Sequence, residues 1–133
     1  MTTYKGNAAK TFYAVWQINT YTVSYANGGH GTAPASQTKT YGTNLALRAG
    51  LGVVSNYRFS KWKATDGTLY DGGGTYSKNA ATTMTAQWIA PYTVKYDGNG
   101  STGGSTDSQT KVHNTDLALQ SNGFARTNYT FAG

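Results

Sequence analysis

Asp66 and Asp71 are the one carboxylate pair in this 133-residue chain whose spacing would suit general acid and base work, as in a glycosidase-like site. Each directly precedes a glycine, Gly67 or Gly72, and so has a sufficient role as a turn residue. The turn reading is preferred. Asp97-Gly98-Asn99-Gly100-Ser101 places oxygen atoms on alternate residues, as a calcium loop does, but Thr102 stands where that loop needs Gly and Ser108 where it needs Glu. A Gly-rich turn is the simpler account. His30 and His113 occupy unrelated positions and are read as exposed loop residues rather than paired metal ligands.

Nucleophilic and phosphate chemistry fare no better. No Ser stands with a His and a carboxylate in an interpretable order, and there is no Gly-x-Ser-x-Gly elbow. No Gly-rich corner reads Gly-Lys-Ser or Gly-Lys-Thr, so none is a P-loop. Lys and Asn are frequent, which raises an internal Lys–Asn isopeptide bond, but no convincing cluster of buried Lys, Asn and acid is apparent. Catalytic residues, metal ligands and cofactors are therefore not expected. What remains is Tyr57-Arg58-Phe59-Ser60-Lys61-Trp62-Lys63, where aromatic and basic residues interleave as on a stacking platform for a polyanion or a sugar chain. In a strand Tyr57 and Phe59 share one face and Arg58 takes the other, so a core role is the first reading. Arg58, Lys61 and Lys63 are the residues expected to contact a polyanionic partner if one binds.

The elements that carry these residues are strands joined by Gly-rich turns. Tyr21, Val23 and Tyr25 alternate with Thr22 and Ser24, the period of a half-buried strand, and Ala26-Asn27-Gly28-Gly29 turns it. Residues 37–41 suit a second strand. Leu45 and Leu47 fit either a strand or a short helical turn over residues 45–51, with Asn44, and Asp116 in the next copy, standing at an N-cap. The alternation that begins at Tyr57 breaks near Lys61, which predicts a bulge or strand end. Asp66-Gly67 reads as a hairpin tip, and Met84, Ala86 and Trp88 share one face of a closing strand. The expected core includes Val23, Tyr25, Leu45, Leu47, Leu51, Tyr57, Phe59, Trp62, Leu69, Tyr76, Met84 and Trp88.

These elements recur. Thr3-Tyr4 and Asn7-Ala8-Ala9 match Thr75-Tyr76 and Asn79-Ala80-Ala81, and Phe12-Tyr13-Ala14-Val15-Trp16 parallels Met84-Thr85-Ala86-Gln87-Trp88, all at an offset of 72 residues. Behind the central copy, Tyr92-Thr93-Val94 restates Tyr21-Thr22-Val23 at an offset of 71, and Gln109-Thr110-Lys111 restates Gln37-Thr38-Lys39 at 72. Residues 1–18 read as the closing part of one repeat, 19–90 as a complete repeat, and 91–133 as the opening part of another that lacks its closing strand. A chain that begins and ends inside a repeat reads as a piece of something longer.

Composition agrees with a mainly β fold: Glu is absent, helix formers are sparse, and the chain has 17 Gly and no Cys. Eight Lys and three Arg against five Asp give a net charge of +6, but the charges are scattered without runs, as on a solvated surface. No apolar stretch approaches the roughly 20 residues of a membrane-spanning helix, and the first residues are polar.

Tyr21-Thr-Val-Ser-Tyr25 with Ala26-Asn-Gly-Gly29, then Lys39-Thr40-Tyr41-Gly42-Thr43, Met84-Thr-Ala-Gln-Trp88 and above all Asn122-Gly-Phe-Ala-Arg-Thr-Asn-Tyr-Thr-Phe-Ala-Gly133 resemble the Listeria-Bacteroides repeat, the B-repeat of internalin-like bacterial surface proteins. Arg48-Ala49-Gly50-Leu51 departs from the family's usual turn, and Val53-Val54-Ser55 replaces a stretch that Phe124-Ala125-Arg126 keeps. The resemblance implies tandem β-grasp-like modules (α+β, mainly β), each a mixed sheet with one short helical segment, on the bacterial cell surface or cell wall, without catalytic residues. Together with the period, it leads to the expectation of a non-enzymatic structural and interaction repeat that contacts a host or cell-surface protein. The alternative is a module for an anionic polysaccharide or other glycan. Nucleic acid and membrane insertion are not expected. The two incomplete repeats, each leaving a sheet edge and aromatics uncovered, are expected to associate head to tail.

Overall fold

The computed structural model describes residues 2–133. The main sheet is built from β1 (Thr20–Ala26), β2 (Gln37–Thr40), β4 (Val53–Val54), β5 (Tyr57–Lys63), β6 (Leu69–Tyr70) and β8 (Thr82–Ile89), in the order β2-β1-β8-β5-β4 with β6 beside β5. Two further strands, β3 (Leu45–Ala46) and β7 (Thr75–Tyr76), form a separate antiparallel pair. The sheet is mixed: β1 runs parallel to β8, in register from Val23↔Thr82 to Ala26↔Thr85, and every other pairing is antiparallel. The last strand of the unit thus lies at the centre of its sheet.

The expected bulge falls between Phe59 and Lys61, where the register against β8 slips by one residue. It lets Phe59 and Trp62 point to the same side, their ring centroids 5.0 Å apart. Trp62 is fully buried, edge-on to Tyr25 at 4.9 Å, among Val23, Leu47, Ala64, Tyr76, Met84 and Ala86. Of the anticipated core, Leu45, Leu51, Phe59 and Trp88 pack only partly buried against this cluster, and Tyr57 is likewise half-buried. Leu69 is 57% exposed: it pairs through its backbone with Lys63 beside the hairpin tip, and the small Ala64 takes a core place instead. That tip forms as anticipated, with the Ala64 amide bonded to the Thr68 carbonyl and the Gly67 amide to the Ala64 carbonyl.

The expected helical segment over residues 45–51 does not form, and the described residues contain no helix. Tertiary partners take the backbone groups that a helix would use. Leu45 and Ala46 pair with Tyr76 and Thr75, and the Leu47 amide donates to the Gly74 carbonyl at 2.8 Å. The Arg48 amide donates to the Tyr25 hydroxyl at 2.9 Å, while the Arg48 carbonyl accepts from Trp62 Nε1 at 3.0 Å and from the Gly73 amide at 2.9 Å. Asn44 precedes β3 rather than a helix, and its counterpart Asp116 precedes residues without regular secondary structure.

The C-terminal residues repeat the opening of this plan. β9 (Tyr92–Val94) pairs with β11 (Gln109–Lys111), and β10 (Gly103–Gly104) pairs with β12 (Phe124–Ala125). Val94↔Gln109, Thr93↔Thr110 and Tyr92↔Lys111 reproduce Val23↔Gln37, Thr22↔Thr38 and Tyr21↔Lys39.

The Tyr25 hydroxyl is a joint between the sheet and the segment that covers it, since it donates to Gln37 Oε1 while accepting from Arg48. Tyr25→Phe should destabilise the complete unit by about 1–3 kcal/mol, because both partners lose a bond in a poorly hydrated setting. Urea unfolding followed by tryptophan fluorescence, in a Trp16→Phe background that removes the exposed ring, checks this, and an unchanged midpoint would remove the joint from the account.

Candidate functional site

β5 carries the three basic residues singled out from sequence, and the bulge brings them to one side of the strand. With Phe59 and Trp62 turned to the core, Arg58, Lys61 and Lys63 alternate outward, opposite Ile89, Gln87 and Thr85 of β8. Lys61 is paired with Asp71, with side-chain exposures of 42% and 74%. Arg58 and Lys63 make no ion pair among the described residues, so two uncompensated cations flank a neutralised one. A shallow cleft of about 360 Å³ at the end of this face is lined by Arg58, Ser60, Asp71 and the backbone of Gly50, Gly52 and Gly72.

Asp66 and Asp71 do not form a catalytic dyad, since each is tied to a different lysine and to its own turn. Asp66 accepts from Lys78 Nζ and, at 2.9 Å, from the Thr68 amide. The Asp71 carbonyl accepts from the Gly74 amide, also at 2.9 Å. The Lys78 ammonium, then the Thr68 amide and hydroxyl, hold the Asp66 carboxyl well below the usual carboxylate range. A general acid needs the opposite shift.

Asp97 caps its own corner, accepting from the Asn99 amide at 2.7 Å. Among the described residues, no group of three or more His, Cys, Asp or Glu side chains could hold a metal ion. The histidines are not free loop residues. His30 stacks on Tyr57 at 3.9 Å and meets the edge of Trp88 at 5.4 Å, while His113 Nδ1 lies 3.1 Å from the Tyr92 hydroxyl. Aromatic contact draws both rings onto the surface of the fold.

The polar residues that matter most were the ones read as ordinary strand. Lys39 is 1% exposed, and its Nζ donates to the Thr40 carbonyl at 2.7 Å and to Asn79 Oδ1 at 3.0 Å. Asn79 Oδ1 also accepts from the Gly42 amide at 2.9 Å. A buried lysine and an asparagine thus do meet, although no carboxylate bonds to either. Gln37 links the Tyr25 hydroxyl to the Ala46 carbonyl through its two side-chain ends. The next copy repeats this set atom for atom: Tyr96 donates to Gln109, Gln109 to the Ala118 carbonyl, and the Gln120 amide to the Tyr96 hydroxyl. Tyr25, Gln37 and Lys39 recurring as Tyr96, Gln109 and Lys111, at offsets of 71, 72 and 72, were the available signal.

Comparison with known proteins agrees with this recurrence. The Listeria-Bacteroides repeat domain matches residues 21–87 and again residues 92–133. The chain belongs to that repeat family. Listeria-Bacteroides repeats are found in bacterial surface proteins and are not known to be enzymatic. Among relatives, a putative Gly-rich membrane protein of Evansella cellulosilytica is 31% identical over 99 residues, which is 68% of this chain and 12% of that protein. The chain therefore spans about an eighth of that relative's length. No solved structure matches it. No helix among the described residues is long and apolar enough to cross a membrane.

The Asp66–Lys78 pair sets a pH dependence of known sign. Asp66 is depressed when folded, so its contribution is present above the unfolded carboxylate value of about 3.9 and is lost as pH falls through the lower folded value. Lys78 is raised by Asp66, so the same contribution persists below about 10.4 and fades as pH rises through the folded value. Both side chains are about half exposed, so the effect is small. Asp66→Asn, which keeps the oxygen that caps Thr68, should lower the melting temperature at neutral pH by a few degrees at most. That gap should close at strongly acid pH. A gap that widened on acidification would contradict the assignment.

Proposed function

We propose that this chain is a non-enzymatic structural and interaction repeat, a segment of the stalk of a bacterial extracellular surface protein. The observation that carries the reading is the recurrence of one polar joint, Tyr25–Gln37–Arg48 and Tyr96–Gln109–Gln120, in copies that share no catalytic constellation. The recurring polar groups serve architecture. We read the order β2-β1-β8-β5, with its parallel centre, as a β-grasp-like plan in which the β3–β7 pair and Gly-rich loops stand where a helix would pack. Repeats joined by only Ala90-Pro91 between β8 and β9 are suited to an array whose units mainly touch their neighbours, and such arrays hold binding domains at a distance. On this reading the stalk is adhesin- or internalin-like, and its lateral contacts are to a host or cell-surface protein.

A second reading has one observation in its favour. The outward side of β5 presents Arg58 and Lys63 without acidic partners beside Lys61, a surface for an anionic polysaccharide. Such contacts weaken with salt, because charges on an exposed face are screened beyond about 8 Å at physiological ionic strength. Binding of the 133-residue protein to heparin and to cell-wall polymer is measured at low and physiological salt, beside the variant R58A/K61A/K63A. The stalk reading expects no saturable binding at either salt. Saturable, salt-dependent binding lost in the triple variant would replace it with the polysaccharide reading.

A further inference from the structure

The cleft of about 360 Å³ beside Arg58 is a built feature of the complete unit. Its floor exists because two loops close on each other through glycine. A Cβ on Gly72 would collide with the Gly50 amide nitrogen, and a Cβ on Gly50 would collide with the Phe59 ring. Backbone bonds hold these loops in place: the Phe59 amide donates to the Gly52 carbonyl at 2.7 Å, and the Gly73 amide to the Arg48 carbonyl at 2.9 Å. The bulge supplies the wall. Ser60 is the residue that the slipped register leaves without a partner on β8, and it stands with Arg58 beside the loops, both half-buried. Among the described residues neither side chain is engaged in a hydrogen bond or an ion pair. Gly52, at φ +70°, has no atom within 4 Å of where a Cβ would stand, so its backbone is open to an approaching group.

The residues lining the cleft are not part of what the copies share. At the repeat offset of 72, Gly50, Gly52, Arg58 and Ser60 correspond to Asn122, Phe124, Thr130 and Ala132. Tyr57 and Phe59, between and beside them, return as Tyr129 and Phe131, just as Gln37 and Lys39 return as Gln109 and Lys111. The copies keep what the sheet uses and vary what faces the cleft.

Charge and shape narrow the ligand. Arg58 offers a planar fork suited to a carboxylate. Asp71 has one oxygen on Lys61 Nζ, and its second oxygen, the Ser60 hydroxyl and the glycine backbone suit the hydroxyl groups of a sugar. A densely sulfated chain fits poorly, since the Asp71 carboxylate repels a second anion beside the first and Lys61 is already neutralised. An aliphatic or aromatic side chain fits poorly as well, because Phe59 is the only lining residue with an apolar side chain. The volume is at the small end of ligand clefts, which suits a single sugar ring. We propose that this cleft binds one uronate residue of a glycan, Arg58 taking the carboxylate and Asp71 and Ser60 the ring hydroxyls. The proposal rests on the polysaccharide reading of the β5 face, and replaces its general polyanion with a hydroxyl-rich sugar that carries a single carboxylate. Chains with a uronate at every residue and chains with one at every second residue both supply that group.

The test is an NMR titration of the isotope-labelled full chain with four hexasaccharides in turn: galacturonate, hyaluronan, heparin and uncharged maltohexaose. The amides of Gly50, Gly52 and Gly72 should shift together and saturate with galacturonate, hyaluronan or both, and should stay still with maltohexaose. Saturation by galacturonate alone assigns a chain of consecutive uronates, by hyaluronan alone an alternating one, and by both a site that reads one residue. Arg58→Ala should weaken the binding by at least about tenfold, the loss of a charged hydrogen bond, while Arg58→Lys should restore only part of it because an ammonium cannot fork. Lys95→Ala removes the same charge from an exposed position in the C-terminal unit and should leave the binding nearly unchanged. Asp71→Asn should move the preference toward heparin. No saturation by either uronate chain, equal binding of maltohexaose, or shifts at Lys61 and Lys63 that leave the three glycines still would each overturn the proposal. If heparin nonetheless bound and R58A/K61A/K63A abolished it, the polysaccharide reading would stand without this cleft, whereas no binding of any chain would remove both.

Discussion

The pairing of β8 with both β1 and β5 is the constraint on which the rest of this structure depends. β8 is last in the sequence of its unit and central in the sheet, parallel to β1 and antiparallel to β5. Its inward residues, Met84 and Ala86, are among the most buried in the chain, and Trp88 closes the rim of the core. Because the partners of β8 lie some sixty and some thirty residues earlier, at Val23 and Phe59, the core is assembled by non-local contacts and only once the closing strand is in place. Units that hold β1 without β8, or β8 without β1, are therefore not small versions of the fold.

The face of the sheet that holds the core has no helix to cover it, and this explains the weight carried by a few polar side chains. Short strands, loops and turns leave backbone amides and carbonyls that must find partners away from water. Tyr25, Gln37, Lys39, Trp62 and Asn79 supply them, each bonding a backbone group or another of the set. No buried side-chain nitrogen or oxygen among the described residues is left without a partner. A buried Lys39 is tolerable on these terms, since its ammonium meets one backbone carbonyl and one amide oxygen, although it faces no carboxylate. The positively charged surface and the buried lysine are thus different uses of one residue type.

Much of this was legible in the sequence because local patterning and self-similarity both survive folding. The alternation of Tyr21, Val23 and Tyr25, the break near Lys61, the Asp66-Gly67 tip and the common face of Met84, Ala86 and Trp88 appear where the pattern put them. The turn role of Asp66 was equally visible, its Asx-type bond to Thr68 being a local event. The segment over residues 45–51 was not legible, because its spacing suits helix and strand alike. The decision was made by partners remote in sequence: Tyr76, Gly74, Tyr25 and Trp62. Lys39 was missed for a related reason. Charge predicts exposure, and only the recurrence of Tyr, Gln and Lys in the same order in both copies could have suggested otherwise. His30 looked like a loop residue because nothing local reveals that the corner folds onto Tyr57 and Trp88.

The central claim is that a unit of this fold is closed by its β8 strand, and amide hydrogen exchange tests it most directly. In the complete unit, the amides of β1 and β5 that face β8 should be protected at all protein concentrations. In the 133-residue chain the amides of residues 92–97 on the side away from β11, which face no such strand, should exchange freely. Equal, concentration-independent protection of those amides and of their counterparts in β1 would contradict the account.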